Sequence, residues 1–160
     1  MSKATAKRTT SAPAKSAVNK RTFIDPSTLP DAYALTLQGD CLAPVIPDGA
    51  SVGIDKLVQP KAGDVVCIWF RPEATAPDGL QCTLKKLLLN IPSWVKFPHR
   101  DYPGSDVVPV LIVKQFNPER QYTIKCADIL AVHKATSYTP KAHRMGATLN
   151  ERDLQQIEVA

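Results

Sequence analysis

The chain has 160 residues, 44% of them hydrophobic, which is enough for one domain with a real core. No apolar run approaches the roughly 20 residues of a membrane span, and the basic N-terminus lacks the apolar stretch of a secretory signal peptide. The net charge of +5 is unevenly placed: residues 1–22 carry six basic residues and no acid, so the remainder sums to −1 and the high pI belongs to the tail.

Residues 1–22 are rich in Ser, Thr, Ala and Lys, with no aromatic residue and no apolar periodicity. Such a segment cannot bury enough surface to offset its ordering entropy. The expected organisation is a flexible basic arm over residues 1–30, a folded domain over 31–140, and a C-terminal tail or short helix over 141–160. Phe23, Ile24 and Leu29 are the residues expected to begin docking onto the domain.

From Tyr33 the chain reads as strands. Tyr33, Leu35 and Leu37 alternate with polar or small residues, as a half-buried strand does. A tight turn follows, Gly39-Asp40-Cys41-Leu42-Ala43-Pro44-Val45-Ile46-Pro47-Asp48-Gly49, and then a second strand, Ser51–Asp55. Val65–Phe70 is continuously apolar and is expected to be covered on both faces. In the next strand Leu80, Cys82 and Leu84 share one face while Gln81, Thr83 and Lys85 share the other. Later strands are read over Asp106–Val113, with Pro109 marking an edge or bulge, over Tyr122–Cys126 and over Asp128–His133. Thr148-x-x-Glu151 reads either as a capping box before a short amphipathic helix or as part of a frayed tail. Fourteen prolines and the short β-branched runs place the domain in the mainly β class.

Four cysteines, Cys41, Cys67, Cys82 and Cys126, never form a C-x-x-C pair, which argues against a zinc site and gives no disulfide framework. Unpaired cysteines fit a reducing cytoplasm. Cys67 and Cys82 sit in apolar strand patterns and read as small buried hydrophobes. His133 reads as a structural histidine, and His99 and His143 have no partner at metal-ligand spacing. No metal or cofactor is expected.

The turn around Cys41 resembles the nucleophile segment of the LexA-type self-cleaving peptidases, relatives of the bacterial signal peptidases, which reads Gly-Asp-Ser-Met-x-Pro-x-Ile-x-Asp-Gly. Cys41 stands in the serine position and Leu42 in the methionine position. Pro60-Lys61-Ala62-Gly63-Asp64-Val65-Val66 resembles the family's second signature. Leu84-Lys85-Lys86-Leu87 resembles its Val-Lys-Arg-Leu segment, with Lys85 in the catalytic slot and Lys86 in the arginine slot. Asn117-Pro118 and the closing strand to His133 keep the family order, so the resemblance spans roughly residues 33 to 138.

The resemblance implies a LexA/signal-peptidase-like β fold, a homodimer, and a Cys41–Lys85 dyad as the catalytic pair. A thiol beside a lysine tends towards thiolate and ammonium, which can attack a carbonyl and later protonate the leaving amine. Sulfur, however, is larger than the oxygen for which such a pocket is shaped. The family cuts its own N-terminal arm before a glycine, and no glycine precedes Gly39 here. The helix-turn-helix reader of the repressor relatives has no room before Tyr33 either. The expected function is therefore a bacterial or phage regulatory module, in transcriptional regulation for example, with altered or lost catalysis, working on a protein partner the sequence does not name.

Two alternatives stand beside it. One is an active Cys41–Lys85 peptidase cleaving a substrate in trans. The other is a nucleic-acid accessory protein, using the basic arm for weak, salt-sensitive contact with phosphates and the Trp94–Tyr102 loop, whose aromatics interleave with basic residues, for stacking. The plainer expectation for that loop is a proline-stiffened segment tucking Trp94 and Phe97 against the domain. Other uses of a reactive Cys41 thiol, including redox sensing, stay open.

Overall fold

The computed structural model describes residues 23–75, 80–99, 106–141 and 147–149. Eight strands form one antiparallel sheet: β1 (Ala32–Thr36), β2 (Ser51–Asp55), β3 (Val65–Phe70), β4 (Cys82–Leu87), β5 (Val110–Phe116), β6 (Glu119–Lys125), β7 (Ile129–Thr139) and β8 (Ala147–Thr148). The order is β1-β2-β7-β3-β4-β5-β6, with β8 paired to β7. The chain is thus mainly β, with only short 3-10 turns at Pro26–Thr28, Pro72–Ala74 and Cys126–Asp128. Among the described residues no helix is long and apolar enough to cross a membrane.

Both faces of the sheet carry a core. Alternation sends Val65, Cys67 and Trp69 of β3 to one face and Val66 and Ile68 to the other, and all five are buried. The first face joins Val52, Ile54, Leu84, Phe116 and Ala135 with Leu42 and Ile46 of the turn after β1. The second joins Leu87, Leu111, Val113 and Ile129 with Val95 from the proline-rich loop after β4. Each fully buried side chain of this size contributes roughly 1.5–3 kcal/mol.

Strand β7 is the spine. It pairs with β2 through Lys134–Thr139 and with β3 through Ile129–Lys134. Among the described residues its β2 side therefore has no ladder partner over Ile129–His133, while β8 occupies the β3 side at Ser137 and Tyr138. The closing strand expected to stop near His133 runs on to Thr139, because β2 supplies a neighbour where β3 ends.

Other boundaries moved for local reasons. β5 begins at Val110, after Pro109, and is interior rather than an edge, lying between β4 and β6. Pro109 stands outside the ladder, where its carbonyl accepts the Cys126 N–H at 3.0 Å. Thr148 lies in β8 and not at a helix start, and the rest of the expected C-terminal helix lies outside the described residues. So does the arm over residues 1–22. Residues 23–30 are docked: Pro26 is buried, Ile24 and Gln81 exchange hydrogen bonds, and Lys56 Nζ donates to the carbonyls of Ser27 and Leu29 at 2.9 Å.

Candidate functional site

The turn that presents Cys41 is built by its own sequence. Gly39 and Gly49 adopt φ of 92° and 81°, the left-handed region that favours glycine. Gly39 N–H donates to Asp48 Oδ1 at 2.7 Å, and Leu37 and Gly49 close the base through Leu37 N–H to Ala50 O and Gly49 N–H to Leu37 O. Inside the turn Ala43 N–H reaches Asp40 O and Ile46 N–H reaches Leu42 O. Leu42 and Ile46 point into the first-face core with no exposure, which leaves Cys41 half-buried at its margin.

The distant Asn117-Pro118 motif meets this turn. The Cys41 carbonyl accepts the N–H groups of Phe116 at 2.8 Å and Asn117 at 3.2 Å, and Asn117 Nδ2 donates to Asp40 Oδ2 at 3.1 Å. The Cys41 N–H has no hydrogen-bond partner among the described residues. A donor so placed beside a thiol is suited to a developing oxyanion.

The Gly63-Asp64-Val65-Val66 motif fixes the register of the lysine strand. Gly63 N–H donates to Leu87 O at 2.7 Å and Leu87 N–H to Asp64 O at 2.8 Å. Asp64 also accepts the Lys61 N–H and pairs with Lys134 at 3.5 Å. Val65 then opposes Lys86, and Val66 opposes Lys85.

That register separates the two lysines. Lys85 shares its face with Leu87, and its ammonium lies 5.8 Å from the ring centroid of Tyr122, on the second-face side. Cys41 packs against the first-face core. The structure thus does not bring Cys41 and Lys85 onto one face. Lys86 shares the Cys41 face with Cys82 and Leu84, is only 5% exposed and is engaged by the protein. The alternation that assigned Lys85 to one face equally assigned Lys86 to the other. What the sequence lacked was which face received the Cys41 turn.

A buried polar network on the same side had no sequence signal. Trp69 Nε1–H donates to Tyr33 Oη at 2.9 Å, and Tyr33 Oη lies 2.7 Å from His133 Nδ1. Burial pushes the Tyr33 hydroxyl far above its ordinary value, and burial together with the Lys56 charge lowers the His133 imidazole. Cys67, opposite His133, and Cys82, opposite Trp69, are in thiol contact: burial raises Cys67, while the hydrogen bond from Cys67 lowers Cys82.

In the proline-rich loop Val95 is buried and Phe97 packs on the second core, as a tucked segment should, but Trp94 is 52% exposed. His99 is buried, its carbonyl accepting Arg71 Nη2–H at 3.0 Å. No group of His, Cys, Asp and Glu fit to hold a metal occurs among the described residues. No protein-family model, curated protein or solved structure matches this chain.

Proposed function

We propose that this chain is a LexA-like peptidase-fold module of bacterial or phage regulatory type with an altered catalytic position, in which Cys41 takes the place of the serine and Lys86 that of the lysine. The observation that carries this reading is Lys86, a 5%-exposed lysine on the face of the sheet against which Cys41 packs. The Cys41 N–H, which has no hydrogen-bond partner among the described residues, supports it as an oxyanion donor. In this chemistry the Cys41 proton passes to Lys86, the thiolate attacks a carbonyl, and the ammonium returns the proton to the leaving amine. The substrate is a segment supplied in trans, since no glycine precedes Gly39 to mark a bond in the arm. The homodimer belongs to the same reading.

The test is the rate of Cys41 alkylation as a function of pH in the parent, Lys86→Met and Lys85→Ala, located by peptide mass mapping. A midpoint below that of a free thiol in the parent and in Lys85→Ala, moved upward in Lys86→Met, assigns the pair. Coincident profiles in all three proteins mean that catalysis is lost and that the fold serves binding alone.

A second reading, nucleic-acid binding, rests on Trp94, which stands exposed beside the exposed Lys96. It predicts affinity for single-stranded nucleic acid that falls steeply with salt and on Trp94→Ala. Equal affinity in the variant removes it.

A further inference from the structure

The sheet ends at β6, a strand open on both faces and along one edge. Six of its seven residues are exposed, and only Ile124 is half-buried. Among the described residues no strand pairs with its outer side. The direction of its backbone groups follows from the strands beside it. Leu88 N–H donates to Ile112 O at 2.9 Å and Phe116 N–H to Cys41 O at 2.8 Å, so Ile112 and Phe116 turn their polar groups away from β6. Alternation turns Val113 and Gln115 toward β6, where they oppose Tyr122 and Arg120. Gln121 and Thr123 are left with N–H and C=O groups on the free edge, as are Glu119 and Lys125 at its ends. Such an edge templates another strand unless something blocks it, and β6 holds neither a proline nor a bulge.

Charge commonly guards an edge, but in β6 it is sorted by sign. The strand reads Glu119-Arg120-Gln121-Tyr122-Thr123-Ile124-Lys125, with an acid at one end and a base at the other. Two copies laid antiparallel about a two-fold axis at Tyr122 use the whole strand. In that register Glu119 of each copy opposes Lys125 of the other. Gln121 opposes Thr123 of the second copy, and the two exchange both backbone hydrogen bonds. Tyr122, 37% exposed, meets its own copy at the centre, a non-hydrogen-bonded pair where side chains come closest. The Arg120 side chains stay apart, each opposite an Ile124. Glu119 holds Lys114 through Oε1 at 2.8 Å, which leaves Oε2 for the second copy. Centring the axis on Gln121 or Thr123 breaks both Glu–Lys pairs and shortens the ladder. At the other end of the sheet order β1 reads Ala-Tyr-Ala-Leu-Thr, with no charge to set a register.

We propose that two copies of this chain associate through β6, antiparallel and centred on Tyr122, so that two sheets become one. The contact is isologous and closes on itself, so it stops at a dimer. A single strand edge buries little area, which places the dimer in the weak, transient class. The interface rests on β6 and not on the peptidase reading, since neither Cys41 nor Lys86 belongs to it.

The experiment is sedimentation equilibrium of the full chain, of Glu119→Lys, of Lys125→Glu and of an equimolar mixture of the two variants. The parent is expected to dimerise with a Kd below about 500 µM. Each single variant sets like charges opposite one another at two places and should weaken its own dimer at least about tenfold. The mixture restores two Lys–Glu pairs and should regain the parent's association. If a variant does not fold, amide shifts of the ¹⁵N-labelled parent on dilution decide, and they are expected at residues 119–125. A parent that stays monomeric at about 1 mM, single variants that dimerise as tightly as the parent, a mixture no tighter than its components, or dilution shifts centred elsewhere overturns the proposal.

Discussion

The carbonyl of Cys41 accepts the backbone N–H of Phe116 across 75 residues of chain, at 2.8 Å. This one bond joins the turn after β1 to the end of β5, and Asn117 N–H and its side chain reinforce it on Cys41 and Asp40. β5 extends past the two β4–β5 pairs, Leu87↔Val113 and Lys86↔Lys114, and the Cys41 carbonyl bonds it beyond them at Phe116. The backbone of Cys41 is therefore held both within the turn after β1 and by the end of β5.

Leu42 is the anchor of that turn. It has no exposure and packs with Ile46, Val52 and Phe116, so Leu42→Ala removes buried methyl groups from a site already pinned by hydrogen bonds. The expected cost is about 2–5 kcal/mol, read as a lowered urea midpoint with an unchanged slope. Leu57→Ala, at a residue 72% exposed, should stay within about 0.5 kcal/mol and serves as the control. Equal midpoints for the two variants would mean that the turn is not packed as described.

Gly53 sits at the β2 bulge, where an added Cβ would collide with the Ser137 hydroxyl on β7. Gly53→Ala should cost about 1–3 kcal/mol by overpacking. Ser137→Ala removes the colliding oxygen and leaves the nearest atom at an ordinary contact distance of 3.7 Å. The double variant should recover most of the loss, giving a coupling energy measurable in a double-mutant cycle. Additive effects would place the strain elsewhere.

Much of the sheet was legible because its signals are local. Ser51–Asp55 and Val65–Phe70 were bounded by turn residues on both sides, and the structure keeps those bounds. β4 starts two residues later than the apolar pattern suggested and runs to Leu87, since the Gly63 and Asp64 backbone holds that end. The extent of β7 depends on which strand lies beside it, and no local window contains that. The same holds for the site. Alternation separated Lys85 from Cys82 and Leu84, but whether Lys85 or Lys86 faced Cys41 was decided by a turn more than 40 residues upstream. The Trp69–Tyr33–His133 network joins residues up to 100 positions apart, which no spacing rule connects.

The four thiols should separate by environment. Cys126 is buried, its thiol pushed up to about 11 by that burial, and Cys67 is raised by a more complete one. Both should resist alkylation in the native protein. Cys82, lowered by the hydrogen bond from Cys67 and half-buried, and Cys41, half-buried at the turn, should label first under iodoacetamide at about pH 8. Mass mapping after brief exposure gives the order. Early labelling of Cys126 or Cys67 would show that the core opens before the thiols at its margin react.

His133 ties stability to pH. In the folded chain its imidazole is held neutral, first by burial and then by the Lys56 charge, so its value lies below the ordinary 6.5. The unfolded chain binds the proton more readily, and stability therefore rises with pH across the interval between the two values. The contribution is fully present above about pH 6.5 and is lost as pH falls through the folded value. The urea midpoint should drop between about pH 7.5 and pH 5.5, a range above the ordinary carboxylate values. Tyr33→Phe removes the hydroxyl that meets His133 Nδ1 and leaves the Trp69 N–H without its acceptor, which should cost about 1–3 kcal/mol at neutral pH. His133→Gln should flatten the pH dependence over this interval. An equally steep fall in His133→Gln would assign the dependence to another group and remove the buried imidazole as its source.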